Sequence, residues 1–121
     1  MVSVGGDARE AVIDLLGAIN ELIDWSKISK DVRKKWNTIL AKRVAMLSRS
    51  VNSVEDFAER LLKELAGDAI FLSKEKANAL RVSLDKARSM EKEVLDYVKR
   101  YPYLSVVFYA ASKGIEVEGE G

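Results

Sequence analysis

Apolar residues recur at three- and four-residue intervals along most of the chain, which is the period of an α-helix with one buried face. The pattern predicts five helices, over about residues 7–24, 30–48, 54–66, 74–100 and 102–112. The fourth is expected to be one continuous helix of about 40 Å, and short turns favour antiparallel neighbours. The predicted fold class is therefore all-α: a compact helical bundle of about five helices with one long helix.

Capping residues support these boundaries. A short polar side chain that can accept a hydrogen bond from the first turn stands at the start of each of the first four helices: Asp7, Ser29, Ser53 and Ser73. Gly67 follows the third helix, where a left-handed residue commonly ends a helix. Pro102, the only proline, is expected to end the fourth helix and to occupy the first turn of the fifth.

The fifth segment is apolar on nearly every side, so a buried strand is the alternative to a helix there. The sequence Lys113-Gly114-Ile115 is typical of a Schellman ending with an apolar residue after the glycine, which favours the helix. We therefore expect a single helical domain over residues 1–115. Residues 116–121 are acidic and glycine-containing, and we expect a flexible tail.

The composition excludes several kinds of chemistry. The chain has no Cys and no His, which excludes disulfides and thiolates and removes the commonest general base and metal ligand. We expect no cofactor and no metal. Depletion of Gln and Thr beside 32% charged residues favours a thermophilic, archaeal source, with chance absence in a short chain as the alternative. No apolar run has the length of a membrane span and the N-terminus does not resemble a signal peptide, so a soluble, cytoplasmic protein is expected.

Charge is distributed unevenly although the net charge is only +1. Residues 26–50 hold eight basic residues and a single acid, Asp31, for a net +7, whereas residues 1–25 carry a net −4. Helical geometry places Lys35, Lys42 and Arg49 on one stripe beside the apolar face, with successive charges about 10 Å apart.

A stripe of long cations separated by small residues suits a phosphate backbone, because each neutralised phosphate releases counterions. No base-reading side chain is evident, so recognition would be of backbone and shape. The predicted nucleic-acid-binding residues are Lys27, Lys30, Arg33, Lys34, Lys35, Lys42 and Arg49. A solvated helix face or a protein contact is the alternative interpretation.

Two further sets of residues are candidates for contacts. Arg43 and Glu91 fall among apolar positions of their helices and are candidates for buried ion pairs. The alternative is that the apolar face shifts around each helix along its length, so that both side chains extend to water. Tyr97, Tyr101 and Tyr103 cluster around the proline and are interface candidates, with packing at a helix corner as the alternative.

Two signals are weaker. Trp25 and Trp36 flank the basic turn and could stack on bases, although the apolar face of the helix favours core packing for Trp36. Glu55, Asp56 and Glu59 lie close together on one helix and are the nearest approach to a metal-binding carboxylate cluster.

In size, helicity and basic surface the chain is similar to the small helical subunits of CRISPR effector complexes, a similarity of general character that involves no motif. It implies a non-enzymatic subunit that binds RNA or DNA backbone non-specifically within a larger complex. The alternatives are a protein–protein interaction or oligomerisation module without nucleic-acid binding, and a metal-dependent enzyme that uses carboxylates.

Overall fold

The computed structural model describes residues 4–67, 69–70 and 73–113, with side chains from residue 7 onward. Within these ranges the chain folds into seven α-helices, which confirms the all-α class. The helices are α1 (Val4–Glu21), α2 (Lys30–Lys34), α3 (Trp36–Leu47), α4 (Val54–Ala66), α5 (Lys74–Arg88), α6 (Glu91–Arg100) and α7 (Pro102–Ser112). None of them is both long enough and apolar enough to cross a membrane.

The expected count of about five helices is wrong because two predicted helices are each broken in two. Lys35, with φ −106° and ψ 15°, separates α2 from α3. The predicted long helix over 74–100 is interrupted at Ser89 and Met90, where Met90 has φ −137° and ψ 44°. Neither break contains a proline or glycine, so the helical periodicity continues through both.

The first helix is shifted toward the N-terminus relative to the prediction. It begins at Val4, so Asp7 lies in its first turn and is not the residue that caps it. It ends at Glu21, and Asp24 instead caps a single 3-10 turn, Trp25–Lys27.

Other predicted boundaries are confirmed. The Oγ atoms of Ser29, Ser53 and Ser73 each accept a hydrogen bond from the backbone N–H three residues later, at 3.3, 3.0 and 3.5 Å. Pro102 opens α7, which is a helix and not the alternative strand. The expected Schellman ending at Gly114-Ile115 and the tail over 116–121 lie outside the described residues.

The core is built around α1, which packs against α4, α5, α6 and α7. Its inward side chains are almost fully buried: Ala8, Ala11, Val12, Leu15, Leu16 and Ile19. Burial of each of the larger ones stabilises the fold by about 1.5–3 kcal/mol. Helix α3 packs against α4 and α7, so its buried side faces those helices and its opposite side faces solvent.

Candidate nucleic-acid interface

Two tryptophans fix the corner at which the basic segment leaves the core. Trp36 is 7% exposed, and its indole Nε1–H donates to Oδ1 of buried Asn20 at 2.7 Å. Asn20 Nδ2 donates to the carbonyl of Leu16 at 2.7 Å, so the amide side chain is used on both sides. Trp25 packs edge-on against Trp36 with ring centroids 4.6 Å apart. The start of α3 is therefore joined to α1 by the hydrogen bond between Trp36 and Asn20, and Trp25 packs beside it.

Helix α2 projects from the domain. Every residue from Ser29 to Lys35 is exposed, including Val32. The helix is held by its cap, since Ser29 accepts the N–H of Val32, and by the chain on either side. Five of these seven residues are charged: four are Lys or Arg and one is Asp31. The short helix therefore carries a net positive charge and exposes it on several sides.

The solvent side of α3 extends this charge along a second direction. Lys42 lies in the middle of α3 and is exposed, and Arg49 lies two residues beyond its end and is exposed as well. Met46 is the exposed residue between them, and Thr38, which is also exposed, lies one turn before Lys42. Ser48, which follows α3, keeps helical dihedral angles, so the expected spacing of about 10 Å between Lys42 and Arg49 holds along this side.

Helix α2 does not continue the line of α3, because the chain bends at Lys35. The expected straight stripe from Lys35 to Arg49 is therefore bent at its first residue. We use the name basic corner for the exposed cations of α2, its flanks and α3: Lys30, Arg33, Lys34, Lys35, Lys42 and Arg49.

Within the part of the chain that the structure describes, none of the six residues of the basic corner has a carboxylate within ion-pair distance. The seventh predicted residue, Lys27, differs: its Nζ lies 4.0 Å from the carboxylate of Asp24. Hydrogen bonds from Ser26, with the charges of Lys27 and Lys76 nearby, hold the pKa of Asp24 below its usual value. Asp24 therefore stays ionised and partly neutralises Lys27.

The acidic residues of α1 are directed elsewhere. Asp14 accepts a hydrogen bond from Lys86 of α5 at 2.8 Å. That bond, with the charges of Asp14, Glu10 and Asp7, raises the pKa of Lys86. Asp7, Glu10 and Asp14 of α1 therefore act on Lys86 of α5.

Neither Arg43 nor Glu91 is buried, in contrast to the position each has on its helical wheel. The guanidinium of Arg43 reaches from α3 to Glu64 of α4, with 3.4 Å between Nη1 and Oε1, and both side chains are about 40% exposed. Arg43 is therefore paired on the surface, because its side chain is long enough to pass the apolar face, and it is not part of the basic corner.

Glu91 meets a backbone group. Its Oε2 accepts the N–H of Val54 at 2.9 Å, and Val54 is the first residue of α4. The carboxylate thus caps α4 from a neighbouring helix, beside the cap that Ser53 provides. A negative charge at a helix N-terminus is also favoured by the helix dipole. Sequence reasoning had no signal for this contact, because the partner is a main-chain group 37 residues away.

The tyrosine candidates lie around Pro102, at the end of α6 and the start of α7. The rings of Tyr97 and Tyr101 pack against each other, with 5.3 Å between their centroids. Burial raises the pKa of Tyr97 above its ordinary value. Tyr101 and Tyr103 are 43% and 56% exposed. Two apolar residues of α7, Leu104 and Val107, are also exposed. The sequence did not single them out, because the segment is apolar on nearly every side and no pattern showed which side faces solvent.

The carboxylates of α4 are dispersed among basic partners. Glu55 pairs with Arg88 and Asp56 with Arg60. Among the described residues, no group of three or more acidic side chains is placed to hold a metal ion.

Comparison of the chain with protein-family models, with curated proteins and with solved structures gives no match.

Proposed function

We propose that this protein is a non-enzymatic helical subunit that binds the phosphate backbone of RNA or DNA without sequence preference, within a larger complex. The single observation that supports the proposal is the state of the basic corner. Six cations that are close in sequence are exposed together, and none is neutralised by a described carboxylate. Unpaired lysines and arginines can exchange their solvent counterions for phosphates, which supplies sequence-independent affinity.

The proposal is tested by fluorescence anisotropy of labelled oligonucleotides titrated with the protein at several salt concentrations. If about four to six phosphates are neutralised, the logarithm of the binding constant falls with the logarithm of salt with a slope of about −3 to −5. The variant with both Lys35→Glu and Lys42→Glu is expected to lose binding and to keep its helical circular dichroism. The proposal fails if the wild-type protein does not bind at low salt.

A matched control separates this site from net charge alone. Lys92 and Lys99 of α6 are also exposed and also seven residues apart. Replacing both with Glu makes the same change in net charge as the Lys35 and Lys42 pair, and it is expected to weaken binding only slightly. Equal losses in the two double variants would show that overall charge, and not the basic corner, governs binding.

A second candidate function is oligomerisation through the outer face of α7. Tyr101, Tyr103, Leu104 and Val107 are each at least 40% exposed, and no charged residue occurs from Pro102 to Ser112. The guanidinium of Arg9 from α1 lies 4.7 Å from the centre of the Phe108 ring, so one cation accompanies this helix. The residues of α7 themselves bring no like charges to a contact with their own copy, which favours a second copy of this chain as the occupant.

A further inference from the structure

Among the described residues from 7 to 56, no aromatic side chain is exposed: Trp36 is buried and Trp25 is partly buried. In residues 1–56 the only aromatic residues are Trp25 and Trp36. Trp36 is buried, its N–H is bonded to Asn20, and the edge contact with Trp25 covers part of the ring. Access to the Trp36 ring would require the loss of this hydrogen bond and of the packing at the start of α3.

This arrangement matters because proteins that hold single strands obtain much of their affinity from bases stacked on aromatic rings. Each stacked base contributes about 1–3 kcal/mol. Without such a platform, a single strand gains only electrostatic affinity from the basic corner. The affinity of a purely electrostatic surface depends on the charge density of its ligand. Double-stranded DNA carries about one charge per 1.7 Å of helix axis, and its counterion release per phosphate is greater than that of a single strand.

The shape of the basic corner also suits a duplex. Every residue of Ser29–Lys35 is exposed, so α2 forms a projection, and the exposed side of α3 leads away from it at an angle. The exposed cations of α2, together with Lys42 and Arg49 about 10 Å apart on the side of α3, can reach phosphates on both sides of a groove that is about 12 Å wide. Proteins that track a single strand use a groove lined with charge, whereas every residue of α2 and its two flanking residues is exposed.

We infer that the basic corner binds double-stranded nucleic acid in preference to a single strand, an inference that rests on the proposed function. The preference follows from two features of the described residues: the cations are exposed and unpaired, and of the two neighbouring tryptophans Trp36 is buried and Trp25 is partly buried against it.

The test compares a labelled duplex with one of its own strands, chosen so that it forms no hairpin, at equal length and equal salt. We expect the duplex to bind about tenfold more tightly at low salt and to show the steeper salt dependence. The same protein supplies an independent readout, because both of its tryptophans adjoin the site: addition of oligo(dT) is expected to leave their fluorescence unquenched.

The outcomes separate this inference from the proposed function. Binding of the single strand as tight as that of the duplex, or quenching of tryptophan fluorescence by oligo(dT), overturns the duplex preference and leaves phosphate binding intact. Absence of binding to both forms overturns the proposed function and this inference together. A Trp25→Phe variant provides a second check: a drop in single-strand affinity in that variant would reveal stacking and would contradict the inference.

Discussion

Trp36 and Asn20 form a buried hydrogen bond between α3 and α1, with 2.7 Å between the indole Nε1 and the amide Oδ1. Both residues are at least nine-tenths buried, so the bond lies away from water. It determines where α3 meets the core, and therefore which side of the helix carries Lys42 into solvent. The geometry of the basic corner thus depends on one neutral polar pair at its base.

We predict that Asn20→Leu destabilises the protein by about 1–3 kcal/mol, because the indole N–H of Trp36 is left buried without an acceptor. Adding Trp36→Phe removes that donor, so the double variant should be less destabilised than the sum of the two single changes, by about 1 kcal/mol. Urea denaturation of the four proteins measures this coupling. Strict additivity would mean that the hydrogen bond contributes nothing beyond packing.

The sequence predicted most of the helix boundaries that depend on local signals, although the cap expected at Asp7 was wrong. The serine caps and Pro102 predicted real boundaries because each acts on backbone groups within a few residues. The breaks at Lys35 and at Met90 were not predictable in this way. Each adjoins a residue that a distant contact holds in place, Trp36 by Asn20 and Glu91 by Val54, and helical periodicity carries no information about such contacts.

The candidate site was predictable to a similar extent. The exposure of Lys42 and Arg49 follows from the helical wheel, since they lie opposite the apolar positions of α3. The wheel failed for Arg43, because it fixes the direction of the Cβ atom and not the end of a long side chain. Whether a lysine has a carboxylate nearby, as Lys27 has Asp24, depends on the turn between helices and required the structure.

The cap that Glu91 provides predicts a stability effect. Glu91→Ala removes an acceptor for the Val54 N–H and a negative charge at the start of α4, and we expect a loss of about 1–2 kcal/mol. Glu91→Gln retains an acceptor oxygen and should lose less. Chemical denaturation measures both, with Glu93→Ala as the control expected to stay within about 0.5 kcal/mol of the wild type. Equal effects at the two positions would contradict the capping role.

Stability is expected to fall at alkaline pH because burial raises the pKa of Tyr109 above its ordinary value of 10.0. Above about pH 10 the unfolded chain loses the tyrosine proton while the folded protein retains it, so rising pH favours unfolding. The raised pKa of Lys86 acts with the same sign, since the folded state again holds its proton longer. Tyr109→Phe should therefore reduce the loss of unfolding free energy between about pH 9 and about pH 11. An unchanged pH dependence in this variant would assign the effect to other groups.

The exposed apolar residues of α7 lead us to expect a dimer, and two substitutions on this face test that expectation. If two copies meet through this face, the wild-type protein should sediment increasingly as a dimer as its concentration is raised. Leu104→Lys with Val107→Lys should then shift it to monomer, because four cations would be buried between the two copies without partners.

Val82 of α5 is 58% exposed and lies on another helix, so Val82→Lys is the control that adds charge without touching this face. Both variants should keep their helical circular dichroism, since all three positions are exposed. A wild-type protein that remains monomeric at every concentration would exclude the second copy as the occupant, whereas dissociation of the control as well would mean that added charge anywhere opposes association.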